Sequence, residues 1–161
     1  MESRGNSTIG FLFVALLMFW LACARPPQAD SKANDSPVPT DFRLAISEGG
    51  GIAGIWQGYI IHADGKIYRW RGRIAGADSQ LVGRLSRETL QAIWHRIQSE
   101  NLFSIQLQKP GNLTRKMAIT ANQRTHRLSW PSGGAAIPSQ TSAQNVYDFC
   151  MEHIQSAEQS R

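Results

Sequence analysis

Cysteine is scarce in this chain, and this limits how the folded part can be held together. Only Cys23 and Cys150 occur among the 161 residues, and Cys23 belongs to an N-terminal segment that precedes the folded region. An internal disulfide is therefore not expected, and the domain must depend on its hydrophobic core. Cys150 falls on the apolar stripe of a predicted helix, which favours a buried thiol over a reactive or intermolecular one.

The residue spacings typical of enzymes and metal sites are also absent. No HxxxH or CxxC spacing joins the histidines or the cysteines, and no serine lies in a GxSxG motif. Paired carboxylates are missing from the predicted strand ends. The sequence therefore predicts a protein that is not an enzyme and has no metal or cofactor. The four histidines, which would have to converge for a site, are His62, His95, His126 and His153.

The longest apolar run is too short to span a bilayer as a helix. Residues 9–22 form a stretch of about 14 residues, whereas a transmembrane helix needs roughly 20, and the shorter length is typical of a signal-peptide core. The run ends in Trp20-Leu21-Ala22-Cys23, which resembles a bacterial lipobox, in which the cysteine is diacylated. Residues 1–22 are predicted to be a signal peptide and Cys23 the lipidation site. An ordinary cleaved signal and an uncleaved anchor are the alternatives.

Residues 23–40 contain little that could be buried. They are rich in Pro, Ser, Asp and Asn, a composition that cannot bury enough apolar surface to offset the entropy of ordering. The segment is predicted to be a disordered tether that holds a folded domain near a membrane. Ala24 follows the cysteine, which by resemblance to lipoprotein sorting signals favours the outer membrane. The predicted location is therefore the cell envelope, at the outer membrane or the periplasmic face.

Residues 41–158 carry the patterns of a single α+β domain. Alternating apolar and polar residues predict a first strand and then two hairpins, the first of which turns at Asp64-Gly65. Capping patterns predict helices that begin at Ser86 and near Thr141. The order β-β-β-α-β-β-α predicts a two-layer fold, in which an antiparallel sheet of about five strands carries both helices on one face.

The third predicted strand alternates aromatic and basic residues, and residues 75–83 after it are predicted to be loop. The side chains predicted to face the core are Tyr68, Trp70 and Ile74, and those predicted to face water are Arg69, Arg71 and Arg73. The arginines are either a solvated face or a surface for an acidic protein or anionic lipid. The net charge of +5 is compatible with both. Nucleic acid is not expected, because the aromatic residues lie on the opposite face.

Glycine is concentrated just before the second strand, at Gly49, Gly50, Gly51 and Gly54. Glycine adopts positive φ without steric cost, so a tight turn is predicted. The stretch lacks the Lys-Ser/Thr of a phosphate-binding loop, and a strand follows it where a nucleotide-binding motif requires a helix. It is either a turn or bulge that joins two strands, or a rigid exposed loop offered to a protein partner.

The glycine string resembles a known family signature. Residues Glu48-Gly49-Gly50-Gly51-Ile52-Ala53-Gly54-Ile55 are similar to the GG-x-A-G-I motif of emfourin-type proteins, small inhibitors of thermolysin-like metalloproteases such as protealysin. The helix that begins at Leu85-Ser86, the Asn101-Leu102-Phe103 string at its end and the later strand at 124–128 are also similar. Gly50, Gly51, Ala53 and Gly54 map residue by residue, whereas the strand at 66–74 interrupts the order of the family.

These observations together predict an exported, membrane-anchored lipoprotein whose domain binds a protein partner. The resemblance implies that the partner is a thermolysin-like metalloprotease. The residues it implies for binding are Gly50, Gly51, Ile52, Ala53 and Gly54. The alternative is an envelope-associated lipoprotein that binds anionic lipid or polymer through Arg69, Arg71 and Arg73.

Overall fold

The described part of the chain is a two-layer α+β fold. A computed structural model describes residues 36–133 and 137–160. One open antiparallel sheet carries two helices on one of its faces, which confirms the predicted fold class. The predicted signal peptide, Cys23 and the first part of the tether lie outside the described residues. Within them, no helix is long and apolar enough to cross a membrane.

The six strands of the sheet are β1 (Arg43–Gly50), β2 (Ile55–His62), β3 (Lys66–Gly72), β4 (Gln80–Arg84), β5 (Leu113–Ala121) and β6 (Arg124–Pro131). The helices are α1 (Arg87–Ser99), a short 3-10 helix (Leu102–Ser104) and α2 (Pro138–Gln159). All neighbouring strands are antiparallel, and their order across the sheet is β4-β3-β2-β1-β5-β6. Strand β1 therefore joins the meander β1 to β4 to the C-terminal hairpin.

The sheet has six strands where about five were predicted, because residues 80–84 form β4 in place of a loop. Gln80 and Leu81 are exposed and Val82 is buried, so the strand lacks the usual alternation. A shift in register opposite Ile67 and Tyr68 causes this, since it leaves Val82 between two paired positions. Because of this bulge, β4 lacks the period-two alternation by which strands are recognised in a sequence.

Both helices pack on the same face of the sheet and close the core there. The hydroxyl of Ser86 accepts a hydrogen bond from Thr89 N–H at 3.1 Å, as predicted for the residue that caps the N-terminus of α1. Helix α2 begins at Pro138, three residues before the predicted start, and proline suits this position because its missing N–H would have no partner. The fully buried residues of this core include Leu44, Ile46, Ile61, Ile67, Ile93, Ile97, Ile119, Val146 and Ile154.

The register between β2 and β3 corrects the predicted faces of β3. Ile67 lies opposite Ile61 in the core, and Arg69 and Arg71 lie opposite Tyr59 and Gln57 on the same face. These two arginines are therefore on the side of the sheet that carries the helices. The prediction that they face away from the core was wrong, because alternation separates the two faces without showing which face the helices cover.

A second, smaller apolar cluster lies on the opposite face of the sheet. Ile60 and Trp70 are 4% and 3% exposed, although they are separate from the main core. The segment 73–79 passes over this face, since a Cβ built on Gly76 would lie 3.1 Å from Ile60 Cδ1. Trp70 is thus buried as predicted, but on the face of the sheet opposite the helices. Ile74 is 72% exposed and belongs to neither cluster.

Residues 36–40, which the composition assigned to the tether, lie against the domain. Gln91 Nε2 donates a hydrogen bond to Ser36 O at 3.0 Å. Val38 packs against the core, and Phe42 N–H donates to Pro39 O at 3.0 Å. The ordered chain therefore begins at least five residues before the predicted boundary.

Candidate functional site

The glycine turn, residues 51–54, joins β1 to β2 at one end of the sheet. Gly54 N–H donates a hydrogen bond to Gly51 O at 3.2 Å, which closes the turn. The φ angles of Gly50, Gly51 and Gly54 are +113°, +65° and +58°, all in the region that disfavours other residues. The predicted tight turn is confirmed, and the backbone itself requires glycine at these positions.

The loop that precedes β5 supports the glycine turn from the side. Gly51 N–H donates to Asn112 O at 2.8 Å. Beside it, the hydroxyl of Thr114 accepts from Gly111 N–H at 2.9 Å and donates to Gly111 O at 2.8 Å. Thr114 is only 2% exposed, so this small network is shielded from water. The turn is therefore fixed to a neighbouring strand and not free to move on its own.

Three exposed aliphatic side chains surround the turn, and we call them the tip cluster: Ile52, Ile55 and Leu113. Ile52 is fully exposed at the apex of the turn, and Ile55 and Leu113 are 44% and 52% exposed. Gly50 is the paired residue of both Ile55 and Leu113. On one face of the sheet, the side chains of Ile55 and Leu113 therefore lie on either side of Gly50, which has no side chain. Grouped exposed apolar residues of this kind mark interaction sites.

On the other face of the same sheet end, a positive charge lies beside the turn. Lys116 Nζ lies 3.6 Å from the centre of the Trp56 ring, a cation–π contact. Trp56 is the paired residue of Gly49, and a Cβ built on Gly49 would lie 2.6 Å from Trp56 Cα. Glycine at this position therefore allows β1 and β2 to approach closely at the base of the turn.

A groove lies on the helix face of the sheet, and it contains two of the three predicted basic residues. Arg69 and Arg71 line it together with Tyr147 of α2. Arg73 is exposed outside the lining. The three arginines proposed as one basic face are therefore not brought together.

The tyrosines of the groove are held protonated at neutral pH. Burial raises the pKa of Tyr147 to about 12, and the negative charge of Glu48 acts in the same direction. Burial also raises the pKa of Tyr59, whose hydroxyl donates to Glu158 Oε2 at 3.3 Å. Both rings thus offer neutral hydroxyl groups to anything that enters the groove.

The four histidines lie on four different elements, and three of them have a local partner. His126 Nε2 lies 2.9 Å from Ile105 O, and the ring of His153 packs edge-on against Phe149 with centroids 4.5 Å apart. His62 packs against Tyr68 in the same way, and His95 is exposed on α1. In residues 36–133 and 137–160 no three His, Cys, Asp or Glu residues are arranged to hold a metal ion.

No protein-family model matches the chain, and no curated protein matches it significantly. The resemblance to emfourin-type proteins therefore stays a prediction that is carried by the glycine string. The structure adds Leu113 to the surface that the string defines, and it places the side chain of Ile55, the last residue of the string, on the same sheet face. The sequence contained one signal for them, because both are apolar residues at the first position of a strand. Their proximity depends on the pairing of β1 with β5, which no local pattern predicts.

Proposed function

We propose that this chain is an exported, membrane-anchored lipoprotein whose domain binds a protein partner through the glycine turn and the tip cluster. The sharpest form of the proposal is inhibition of a thermolysin-like metalloprotease, as the family resemblance implies. The observation that carries it is Ile52, a fully exposed aliphatic side chain at the apex of a turn that is fixed by hydrogen bonds.

A fixed apolar apex favours tight binding for an energetic reason. Association costs free energy for every loop that must be ordered at the interface, and a turn that is already ordered avoids this cost. Ile52 supplies apolar area at the centre of the surface, and Ile55 and Leu113 extend it on one side. Burying these side chains in a partner would be favourable by roughly 25 cal/mol for each Å² of apolar surface removed from water.

The direction of β1 is compatible with an N-terminal anchor. The chain enters the sheet at Arg43 and reaches the glycine turn after Gly50. This is a distance of about 23 Å at roughly 3.3 Å for each residue of a strand. The N-terminal side of the domain and the tip cluster therefore lie at opposite ends of β1, and an anchor would not compete with a partner for the tip.

The register weakens the alternative, in which a basic strand face binds anionic lipid or polymer. A flat surface needs charges that project from one open face, whereas Arg69 and Arg71 lie in a groove beside α2. The opposite face does carry Arg127, but the three arginines that motivated the alternative do not share a surface.

The proposal is tested by measuring inhibition of thermolysin with the full-length chain and two matched variants. Ile52→Asp places a charge at the apex, and Ile74→Asp makes the same change at another isoleucine that is 72% exposed. We expect inhibition by the unaltered chain, loss of at least about tenfold in affinity with Ile52→Asp because the charge would be desolvated, and no change with Ile74→Asp.

Each of the other outcomes counts against a defined part of the proposal. Absence of inhibition by the unaltered chain, tested also on a thermolysin-like enzyme from a Gram-negative source, rejects the metalloprotease as partner. Equal loss with both variants shows that charge anywhere on the surface is disruptive and removes the special role of the turn. Circular dichroism of both variants shows whether they remain folded.

A further inference from the structure

The groove beside α2 has the dimensions of a ligand-binding site. It encloses about 630 Å³ between the sheet and α2, within the range of roughly 300–1,000 Å³ that is usual for ligand pockets. The sheet forms its floor, and Tyr147 and Met151 of α2 form one wall. The polar side chains that project from the floor are Glu48, Gln57, Tyr59, Arg69, Arg71 and Gln80.

Among the described residues that line the groove, Arg71 and Asp78 form no ion pair. Glu48, a carboxylate on the lining, is occupied by Arg115 at 3.0 Å, and Arg69 lies 3.6 Å from Glu158. Among the described residues, Arg71 has no carboxylate within 4.0 Å, and Asp78 on the lining forms no ion pair with it. The guanidinium group of Arg71 is therefore available to an anion from outside the chain.

The neighbours of Arg71 suit a peptide better than a simple ion. Gln57 is its paired residue on β2, and Gln80 is the paired residue of Arg69 on β4. Side-chain amides both donate and accept hydrogen bonds, as the peptide group does. Met151 and the Tyr147 ring add an apolar wall, against which the aliphatic part of a side chain could pack.

We infer that this groove binds an acidic peptide segment, with a carboxylate of the peptide paired to Arg71. The planar guanidinium group binds a carboxylate through two parallel hydrogen bonds, which a single ammonium group cannot do. An extended peptide can lie between the floor and α2, whereas a flat anionic membrane cannot reach the floor of a groove. The site is separate from the tip cluster, and so this inference does not depend on inhibition of a protease.

The test uses the full-length chain and two dansyl-labelled probe peptides in a fluorescence anisotropy titration. One peptide is dansyl-Gly-Glu-Leu-Glu-Gly-amide, and the other has both glutamates replaced by glutamine. We expect the glutamate peptide to bind more tightly than the glutamine peptide. Arg71→Gln should weaken its binding by at least about tenfold, because the hydrogen bonds between the charged guanidinium group and the carboxylate are lost, and Arg71→Lys should give an intermediate affinity.

A matched control separates the groove from the overall positive charge. Arg127→Gln removes the same charge from an exposed position on β6, on the face of the sheet without helices, and should leave binding unchanged. Ile52→Asp should also leave it unchanged, which makes failure here distinguishable from failure of the proposed inhibition. Circular dichroism shows that each variant is folded.

Four outcomes would overturn the inference. They are equal binding of both peptides, no binding of either, equal loss with Arg71→Gln and Arg127→Gln, and Arg71-dependent binding of phosphatidylglycerol vesicles without binding of the peptide. The last result would show that Arg71 binds anionic lipid and not a peptide.

Discussion

At the scale of single residues, two buried tryptophans differ in one hydrogen bond. Trp130 is 0% exposed, and its Nε1 donates to Gln144 Oε1 at 2.8 Å. Trp70 is 3% exposed, and its Nε1 is buried without an acceptor among the residues that the structure describes. A buried N–H group without a partner costs about 1–3 kcal/mol. Trp70 therefore contributes its apolar area to stability while its polar atom opposes folding.

Replacing each tryptophan by phenylalanine should expose this difference. Both changes remove a similar part of the ring, but Trp70→Phe also removes the unpaired N–H group, and Trp130→Phe removes a made hydrogen bond. We expect Trp130→Phe to lower the free energy of unfolding by about 1–3 kcal/mol more than Trp70→Phe. Urea unfolding followed by circular dichroism measures both values. An equal or larger loss for Trp70→Phe would show that its N–H group has a partner.

At the scale of elements, α2 carries two groups whose proton binding depends on folding. Burial raises the pKa of the Cys150 thiol from 9.0 to about 12. Burial likewise raises the pKa of the Tyr147 hydroxyl from 10.0 to about 12. Each group is neutral when protonated. The unfolded state releases the proton of Cys150 above about pH 9 and that of Tyr147 above about pH 10, whereas the folded state keeps both protons to higher pH. Stability from both groups is complete below about pH 9 and is lost as the pH rises towards 12.

Part of the alkaline loss of stability should therefore be assignable to α2, in addition to the part that comes from Tyr59 on β2. The slope of the unfolding free energy against pH between 9 and 12 is expected to reach about 1.4 kcal/mol per pH unit for each group. Cys150→Ala should remove the contribution to this slope that begins near pH 9. Tyr147→Phe should remove the contribution that begins near pH 10. Urea unfolding at several pH values measures the slopes. Slopes that are unchanged in both variants would mean that neither group stays protonated in the folded state.

The elements also show what the sequence could and could not predict. The helices were found because Leu90, Ile93, Trp94 and Ile97 form one buried stripe on α1, which is a local pattern. The faces of β3 were reversed because the alternation of its residues separates two faces without showing which one the helices cover. The tip cluster was found only in part, since the pairing of Gly50 with Leu113 joins residues far apart in sequence.

At the scale of the whole molecule, the N-terminal edge of the domain is set by contacts that the composition did not predict. Asp41 accepts hydrogen bonds from the backbone N–H groups of Asn122 and Gln123 at 2.9 and 2.6 Å. These bonds lower the pKa of its carboxyl group, the largest contribution being the bond from Gln123. The five residues before it add the contacts of Ser36 and Val38 with α1 and the core.

Two shortened chains test this boundary. A chain that begins at Ser36 should be as stable as the full-length protein, and one that begins at Asp41 should be less stable by about 1 kcal/mol, because a buried CH₂ group contributes about 0.8 kcal/mol. Val38→Ala in the longer chain should reproduce most of this loss. Urea midpoints of the three chains measure it. Equal midpoints would show that residues 36–40 add nothing to the fold.

Strand β1 lies between two parts of the sheet that are distant in the chain. Its partner β2 follows after a short turn, but its other partner β5 begins at Leu113. Closing so long a loop is entropically costly and slows folding relative to local pairing. A nascent chain released through residue 112 could form the first four strands, yet the outer edge of β1 and half of the helix face would remain uncovered. Folding speed should therefore be limited by the arrival of the last hairpin.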